Sequence, residues 1–351
     1  MGFRIRSLCV GIAHGRLCYA SCCPSTNRPH HGISKLKDRV LVTGAAGFIG
    51  RAVVDRLLAM EFTVLALVRK ESDARVLASR GVRVTAGDVL CDDALASAFS
   101  GEPTAVIQLV GRHISVAATA RVLAFAERSG VRRYIHMSAL GAAQGSRCRY
   151  HRRKWAAEEL VRKSSVAWTI FRPSVVFGIR CDFVKCLELL VRTGPLIPIP
   201  GSGRCRLQPI HVADVAKAVV KSLTLDRDER KTYHLGGPET WTLNEIIAQV
   251  ERRLGFRKRR VHFPLGLARM MIAIQEHPLL GKPLRQLYGD ITPDRRFNRE
   301  HLELLREDNV CPNQREDWAR AVTLTSLEDW LNTRTLPQRR GQSEFILGGS
   351  R

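Results

Sequence analysis

No stretch of the 351-residue chain approaches the ~18 consecutive apolar residues that a membrane-spanning helix requires, so a soluble or peripherally bound protein is expected. Aromatic residues are few, at 6%. They hardly interleave with the basic clusters, which argues against stacking on nucleic-acid bases. No internal repeat is visible. The cysteines at 91, 148, 181, 186, 205 and 311 are scattered without pairing logic, as reduced and packed thiols are. Acids are scarce: 33 Asp and Glu stand against 56 Lys and Arg, for a net charge of +23. That excess suits an acidic partner such as a phosphorylated small molecule, an anionic lipid or nucleic acid. The arginine-rich composition of a GC-rich genome gives the same balance, and charge alone does not choose between them.

The scarcity is complete in the first 36 residues, which hold Arg4, Arg6, Arg16, Arg28 and Lys35 but no acid before Asp38. A basic, acid-free leader resembles a mitochondrial presequence. Cys9, Cys18, Cys22, Cys23, His14, His30 and His31 are unusual there, and Pro24 and Pro29 break a helix. The alternative is an over-extended start ahead of a bacterial protein that begins near Ile33. The Cys and His spacing matches no common structural zinc pattern, and no metal is expected.

What the chain does have begins at Arg39. Arg39-Val40-Leu41-Val42-Thr43 is a β-branched run that turns through Gly44-Ala45-Ala46-Gly47-Phe48-Ile49-Gly50 into a helix ending near Met60. Gly44 suits the tight turn, Gly47 lets backbone approach a pyrophosphate, and Gly50 lets the helix lie close on the sheet. With Ala46, Phe48 and Ile49 these residues form a dinucleotide loop whose helix N-terminus aims its free N–H groups at phosphate. Strand-like segments follow at 62–68, 82–85, 105–110, 133–137 and 167–171, separated by helical segments near 72–80, 92–99, 116–129 and 150–163. Such alternation predicts βαβ units and a doubly wound parallel sheet of the Rossmann type, with its ligand crevice at the carboxyl ends of the strands. Beyond Pro173 the pattern loosens into a Pro- and Gly-rich stretch at 194–203. A helix at 212–223, a last strand at 232–235 and a Thr242-Leu243-Asn244-Glu245 capping box follow. The expected organisation is a leader or disordered extension over 1–36 and a nucleotide-binding domain over 37–240 with substrate loops at 175–205. A small C-terminal helical region on the substrate side at 241–335 and a disordered tail over 336–351 complete it.

Candidate site residues fall at the strand ends. Arg69 and Lys70 follow the second strand, where an NAD-selective site places an acid for the ribose 2′-hydroxyl. A basic pair favours a 2′-phosphate, so NADP(H) is expected and NAD(H) is the alternative. Asp88, with Val89, follows the third strand and can accept from the adenine amino group or cap the next helix. Leu109-Val110-Gly111 ends the fourth strand, where glycine lets backbone pass close to the cofactor. Tyr150 and Lys154 lie one helical turn apart on one face, with Ser138 twelve residues earlier at the end of the fifth strand. The ammonium favours the charged phenol, so Tyr150 would exchange a proton with a carbonyl or alcohol oxygen while hydride moves to or from the nicotinamide. Lys154 would also bind the nicotinamide ribose, and Ser138 would hold the substrate oxygen. A second reading takes Arg147, Arg149, Arg152 and Arg153 as marking only a solvated helix start.

Over residues 38–240 these motifs, in this order, resemble the short-chain dehydrogenase/reductase superfamily. Within it the chain is similar to the atypical, epimerase/dehydratase-like branch that contains the NADPH-binding accessory subunit of respiratory complex I and its bacterial relatives. The resemblance is carried by Val106–Gly111, Met137–Ala142, Arg172–Gly178, Pro209–Ala216, Leu235–Glu239 and Glu307–Val310. It implies that the stretch after Arg172-Pro173, including Val176, closes over the nicotinamide. It also implies an accessory role at complex I or in quinone metabolism, at an energy-transducing membrane. Several members of that branch lack the tyrosine that this chain keeps, which leaves a free-standing reductase or sugar-nucleotide epimerase as the alternative. Location follows the leader: the matrix side of the mitochondrial inner membrane if it is a presequence, the bacterial cytoplasm otherwise. Finally, Arg252–Arg260 holds six basic residues in nine, just before the apolar, Met-rich stretch 265–274. That pairing reads either as a peripheral contact with anionic lipid or a membrane complex, or as a helix packed inward beside solvated charges.

Overall fold

The computed structural model describes residues 38–111, 114–225, 230–276, 299–312 and 323–333. The leader 1–36 and the tail 336–351 lie outside the described residues. Strand β1 (Arg39–Thr43) leads through the glycine loop into helix α1 (Phe48–Ala59). The alternation continues with β2 (Thr63–Val68), α2 (Glu71–Ala78), β3 (Arg83–Ala86), α3 (Asp92–Phe99) and β4 (Ala105–Gln108). Then come α4 (Ser115–Arg128), β5 (Arg133–Met137), α5 (Arg149–Lys163) and β6 (Ala167–Pro173). With β11 (Lys231–Leu235) these strands form a seven-stranded sheet of order β11-β6-β5-β4-β1-β2-β3. Every pairing in it is parallel. The order reverses direction between β1 and β4, which opens a crevice at their carboxyl ends.

The sheet is apolar on both faces, as crossover helices demand. Successive residues of β1 point to opposite sides. Val40 and Val42 pack with Val53, Val54 and Leu57 of α1 and with Val215 and Val219 of α7 (Val212–Ser222). Leu41 joins Leu95 of α3, Val122 of α4 and Val161 of α5 on the other side.

A smaller cluster grows from the far end of β6. Between β6 and α7 lie β7 (Val176–Phe177), α6 (Asp182–Arg192), β8 (Leu196–Pro200), β9 (Arg206–Leu207) and β10 (Ile210–His211). After β11 come β12 (Trp241–Thr242), α8 (Leu243–Leu254), β13 (Arg259–Phe263) and α9 (Leu265–Glu276). Phe177, Val184, Leu187, Val191, Ile197 and Ile246 share this core with Trp330 of the helix Leu327–Thr333. Three of these are spaced i, i+3 and i+7 along α6, a helix the sequence reading passed over. The Pro-rich stretch read as loop is strand β8, paired in parallel with β13. A two-stranded sheet has only edges, and edges accept proline. Helix α8 opens with the expected capping box, with Thr242 and Glu245 each bonded to the other's backbone N–H.

The Met-rich helix α9 packs on one side only. Ala268 and Ile272 are buried against Leu302, whereas Leu267, Met270 and Met271 stay exposed. Four of the six bases in the preceding run find partners within the protein, while Arg257 and Arg259 are exposed. Arg260 pairs with Glu251, Arg252 with Glu328, and Arg253 bonds the carbonyl of Leu331. Lys258 bonds the carbonyl of Gly194.

Candidate functional site

At the phosphate end the site is made of backbone. Gly44 has φ +79°, and a Cβ there would meet the backbone N of Val110 at 3.2 Å, so the loop lies directly against the end of β4. A Cβ on Gly50 would sit 2.1 Å from the carbonyl oxygen of Gly44, which leaves room for hydrogen alone. The turn is closed by Gly47 N–H to Gly44 O at 3.0 Å. Helix α1 then begins from extended Gly47, with no side-chain cap and no acid in its first turn. Its first N–H groups therefore remain for an anion, in the field of the helix dipole. Ala46, Phe48 and Ile49 are part-buried around this loop. The cradle fits a pyrophosphate: it offers donors, positive potential and no side chain in the way.

Arg69 and Lys70 are exposed at the end of β2. The acids that follow are taken by other arginines: Glu71 pairs with Arg75, and Asp73 with Arg51. Arg51 also donates to the carbonyl of Ala46 at 2.9 Å and so ties α1, the glycine loop and α2 together. No ion pair among the described residues engages Arg69 or Lys70, which leaves two exposed cations at the end of β2. Asp88 is exposed, and its Oδ1 accepts from Leu90 N at 2.8 Å, so part of its capacity is spent on the local turn. Val89 is buried beneath it.

The other end of the crevice, where the sequence leads one to expect nicotinamide, is made of side chains. Tyr150, Lys154, Glu158 and Arg162 recur every four residues along α5. Lys154 is buried, and its Nζ donates to the carbonyl of Met137 at 2.8 Å. The same amine approaches Gly111, where a Cβ would stand only 3.2 Å from Nζ. The amine is thus wedged between the ends of β4 and β5. Burial brings its pKa down to about 8, against a partial upward pull from Glu158. His136, one residue before Met137, is fully buried, and desolvation with Lys154 and Arg162 nearby holds it neutral. Tyr150 is part-buried in the first turn of α5, its ring 5.7 Å from that of His151.

Ser138 departs from expectation. It is 2% exposed, and its hydroxyl donates to Glu158, a carboxylate with no exposure at all. Glu158 in turn holds Arg172 by two bonds, 2.8 Å from Nε and 2.6 Å from Nη2, and Arg162 by one at 2.5 Å. Both guanidiniums lie near the ring of Trp155, Arg162 at 4.8 Å and Arg172 at 5.6 Å from its centroid. Pro173 and Val176 follow Arg172 at the β6 end and in β7, and the next glycine, Gly178, lies 3.4 Å by its virtual Cβ from the ring of Phe48. The segment after Arg172 therefore reaches the glycine loop.

Sequence reading missed Glu158, Arg51 and Asn309. The first was visible as one more i+4 step after Lys154, and Arg51 as a base one residue past the loop. Asn309 lies in a motif whose contacts nothing local announces. It donates by Nδ2 to Leu140 O at 3.3 Å and accepts from Ser174 Oγ at 2.6 Å on its side chain and 2.8 Å on its carbonyl.

Comparison with known proteins agrees with this geometry. Residues 44–180 match a family model described as NAD(P)H-binding. The chain is 31% identical over 248 residues to the mitochondrial NADH dehydrogenase [ubiquinone] 1 alpha subcomplex subunit 9 of Arabidopsis thaliana. That match takes in 66% of this chain and spans only 62% of the relative's length. The NAD(P)H azoreductase of Xenophilus azovorans is 27% identical over 258 residues, 73% of this chain and 88% of the relative. Among solved structures, the triphenylmethane reductase of a Citrobacter species superposes with a TM-score of 0.66 at 21% identity, over 84% of this chain and 98% of that one. This last likeness speaks for the fold. Residues 44–180 are accordingly an NAD(P)H-binding Rossmann domain, carried by a chain homologous to subunit 9 of mitochondrial complex I.

Proposed function

We propose that this protein is an NADP(H)-holding accessory or assembly subunit of respiratory complex I, attached peripherally at the matrix face of the inner membrane. When bound, the nucleotide would supply a hydride as NADPH or take one as NADP+, and the question is whether the chain's own residues use it. One observation carries the answer: the hydroxyl hydrogen of Ser138 is given to Glu158. Turnover of a carbonyl calls for a donor aimed at the oxygen on which charge develops. A serine whose hydrogen is committed to a carboxylate has only acceptor capacity left. The arrangement suits a nucleotide that is kept rather than spent.

Attachment is supported by the outer side of the smaller cluster. Leu196, Val261, Leu267, Met270 and Met271 are exposed on β8, β13 and α9. Arg257 and Arg259 are exposed beside them. Residues 1–36 serve in this reading as the presequence. The second reading is a free-standing reductase, favoured by Tyr150 standing one turn before a buried Lys154 and by the azoreductase relative.

The deciding experiment is the nucleotide content of the purified protein, followed by challenge with quinones and carbonyl compounds. Stoichiometric NADP(H) that keeps its redox state is expected, with high-salt-sensitive co-sedimentation with complex I. Oxidation or reduction that disappears in Tyr150→Phe would overturn the accessory reading and establish the reductase.

A further inference from the structure

Asn309 joins the crevice to the C-terminal part of the chain. The ends of β5 and β6 are joined past their last paired residues by Leu140 N–H to Pro173 O at 2.9 Å. Asn309 spans that junction, donating to Leu140 O and accepting from the hydroxyl of Ser174. Its own backbone runs beside β9, with Leu207 and Asn309 forming a parallel bridge. Asn309 N donates to Arg206 O at 2.7 Å, and Gln208 N to Asn309 O at 3.1 Å. Asp308 accepts from the backbone N and the Nε of Arg206, at 2.7 and 2.8 Å. Cys311 N donates to Gln208 Oε1 at 2.9 Å, and Gln208 Nε2 passes the contact on to Gly237 O. Upstream, Glu300 pairs with Arg153 on α5 at 2.8 Å, and the Glu307 carboxylate acts on His151 beside Tyr150.

Residues 299–312 therefore form a strap that crosses the nicotinamide end and is fastened to α5, β9 and the joined ends of β5 and β6. We propose that Asn309 is a positioning residue that couples dinucleotide binding to the docking of this strap. Leu140, Pro173 and Ser174 stand where strands of this topology meet their ligand. A nucleotide that orders these strand ends presents Asn309 with a preformed pair of partners, so the strap docks at lower entropic cost. By reciprocity a docked strap raises nucleotide affinity by the same factor. The strap then reports to a partner whether the crevice is filled. This rests on the nucleotide reading of the crevice and extends it to regulation.

Hydrogen–deuterium exchange of the full chain, with and without NADPH, tests the coupling beside a direct NADPH titration. In the wild type, saturating NADPH is expected to slow exchange across 299–312 by on the order of tenfold. In Asn309→Ala that slowing disappears, and NADPH binds more weakly by the factor lost. Asp308→Ala loosens the strap through Arg206 without touching Leu140 or Ser174, and it is expected to act in the same direction, less strongly. If Asn309→Ala fails to fold, the wild type and Asp308→Ala decide the matter. NADPH that binds the wild type while leaving strap exchange unchanged overturns the coupling and spares the nucleotide reading. Absence of NADPH binding to the wild type overturns both.

Discussion

The two ends of the crevice are built by opposite means. The phosphate end is seven consecutive residues, Gly44–Gly50, whose chemistry is backbone N–H groups and missing side chains. The nicotinamide end draws on Met137, Ser138, Lys154, Glu158, Arg172 and Asn309, most of them buried and brought together from across the chain. A local loop tolerates change around it but not within it. A network of buried charges fails when any one member loses its partner.

The largest test of that contrast is Glu158→Leu. Removing the carboxylate strands Arg172, while Arg162 keeps Glu159, and a stability loss of about 3–5 kcal/mol is expected by urea unfolding. A loss near zero would mean that packing around Trp155, not the charge network, holds this end. Next comes pH. Lys154 titrates near 8 when folded against 10.5 as a free side chain. The unfolded chain thus binds more protons between those values, and its folded counterpart gains stability as pH rises from about 8 to 10.5. Relative to Lys154→Met, the nucleotide-free wild type should gain at most about 3 kcal/mol across that window. Parallel melting curves would show that the amine is solvated.

At the other end, Gly50→Ala should weaken NADPH about a hundredfold and cost roughly 1–3 kcal/mol of stability, because its methyl meets the Gly44 carbonyl. Unchanged affinity would show that the loop shifts to accept the methyl. Arg69→Ala with Lys70→Ala should cost NADPH about tenfold and NADH almost nothing, as loss of charge-assisted bonds to a 2′-phosphate predicts. Equal losses for both would remove the phosphate assignment. The smallest expected effect is Thr242→Ala, about 1 kcal/mol from the α8 cap with no change in NADPH affinity. A change in affinity there would erase the separation between site and small cluster.

This contrast also explains what could be read in advance. The parallel sheet, its helices and the glycine loop are local signals, a period of two or 3.6 and a turn, and they stand where the residues place them. The capping box at Thr242 is of the same kind. The hydrogen bond of Ser138 was illegible because its partner lies twenty residues away on another element. Strand β8 was illegible because its partner β13 is distant and its prolines signal loop. The basic run 252–260 was legible only in part, since Glu251, Glu328 and two carbonyls engage four of its six charges while Arg257 and Arg259 stay exposed.

The bridge between Leu207 and Asn309 has a consequence for biosynthesis. On the ribosome, β1, α1 and the glycine loop emerge and fold long before Asn309 has been translated. On the proposed coupling, the loop expected to hold phosphate is thus made well before the segment that would fasten the other half of the ligand. A chain cut between β11 and that segment would keep the glycine loop and the whole sheet but lose the strap that the coupling requires.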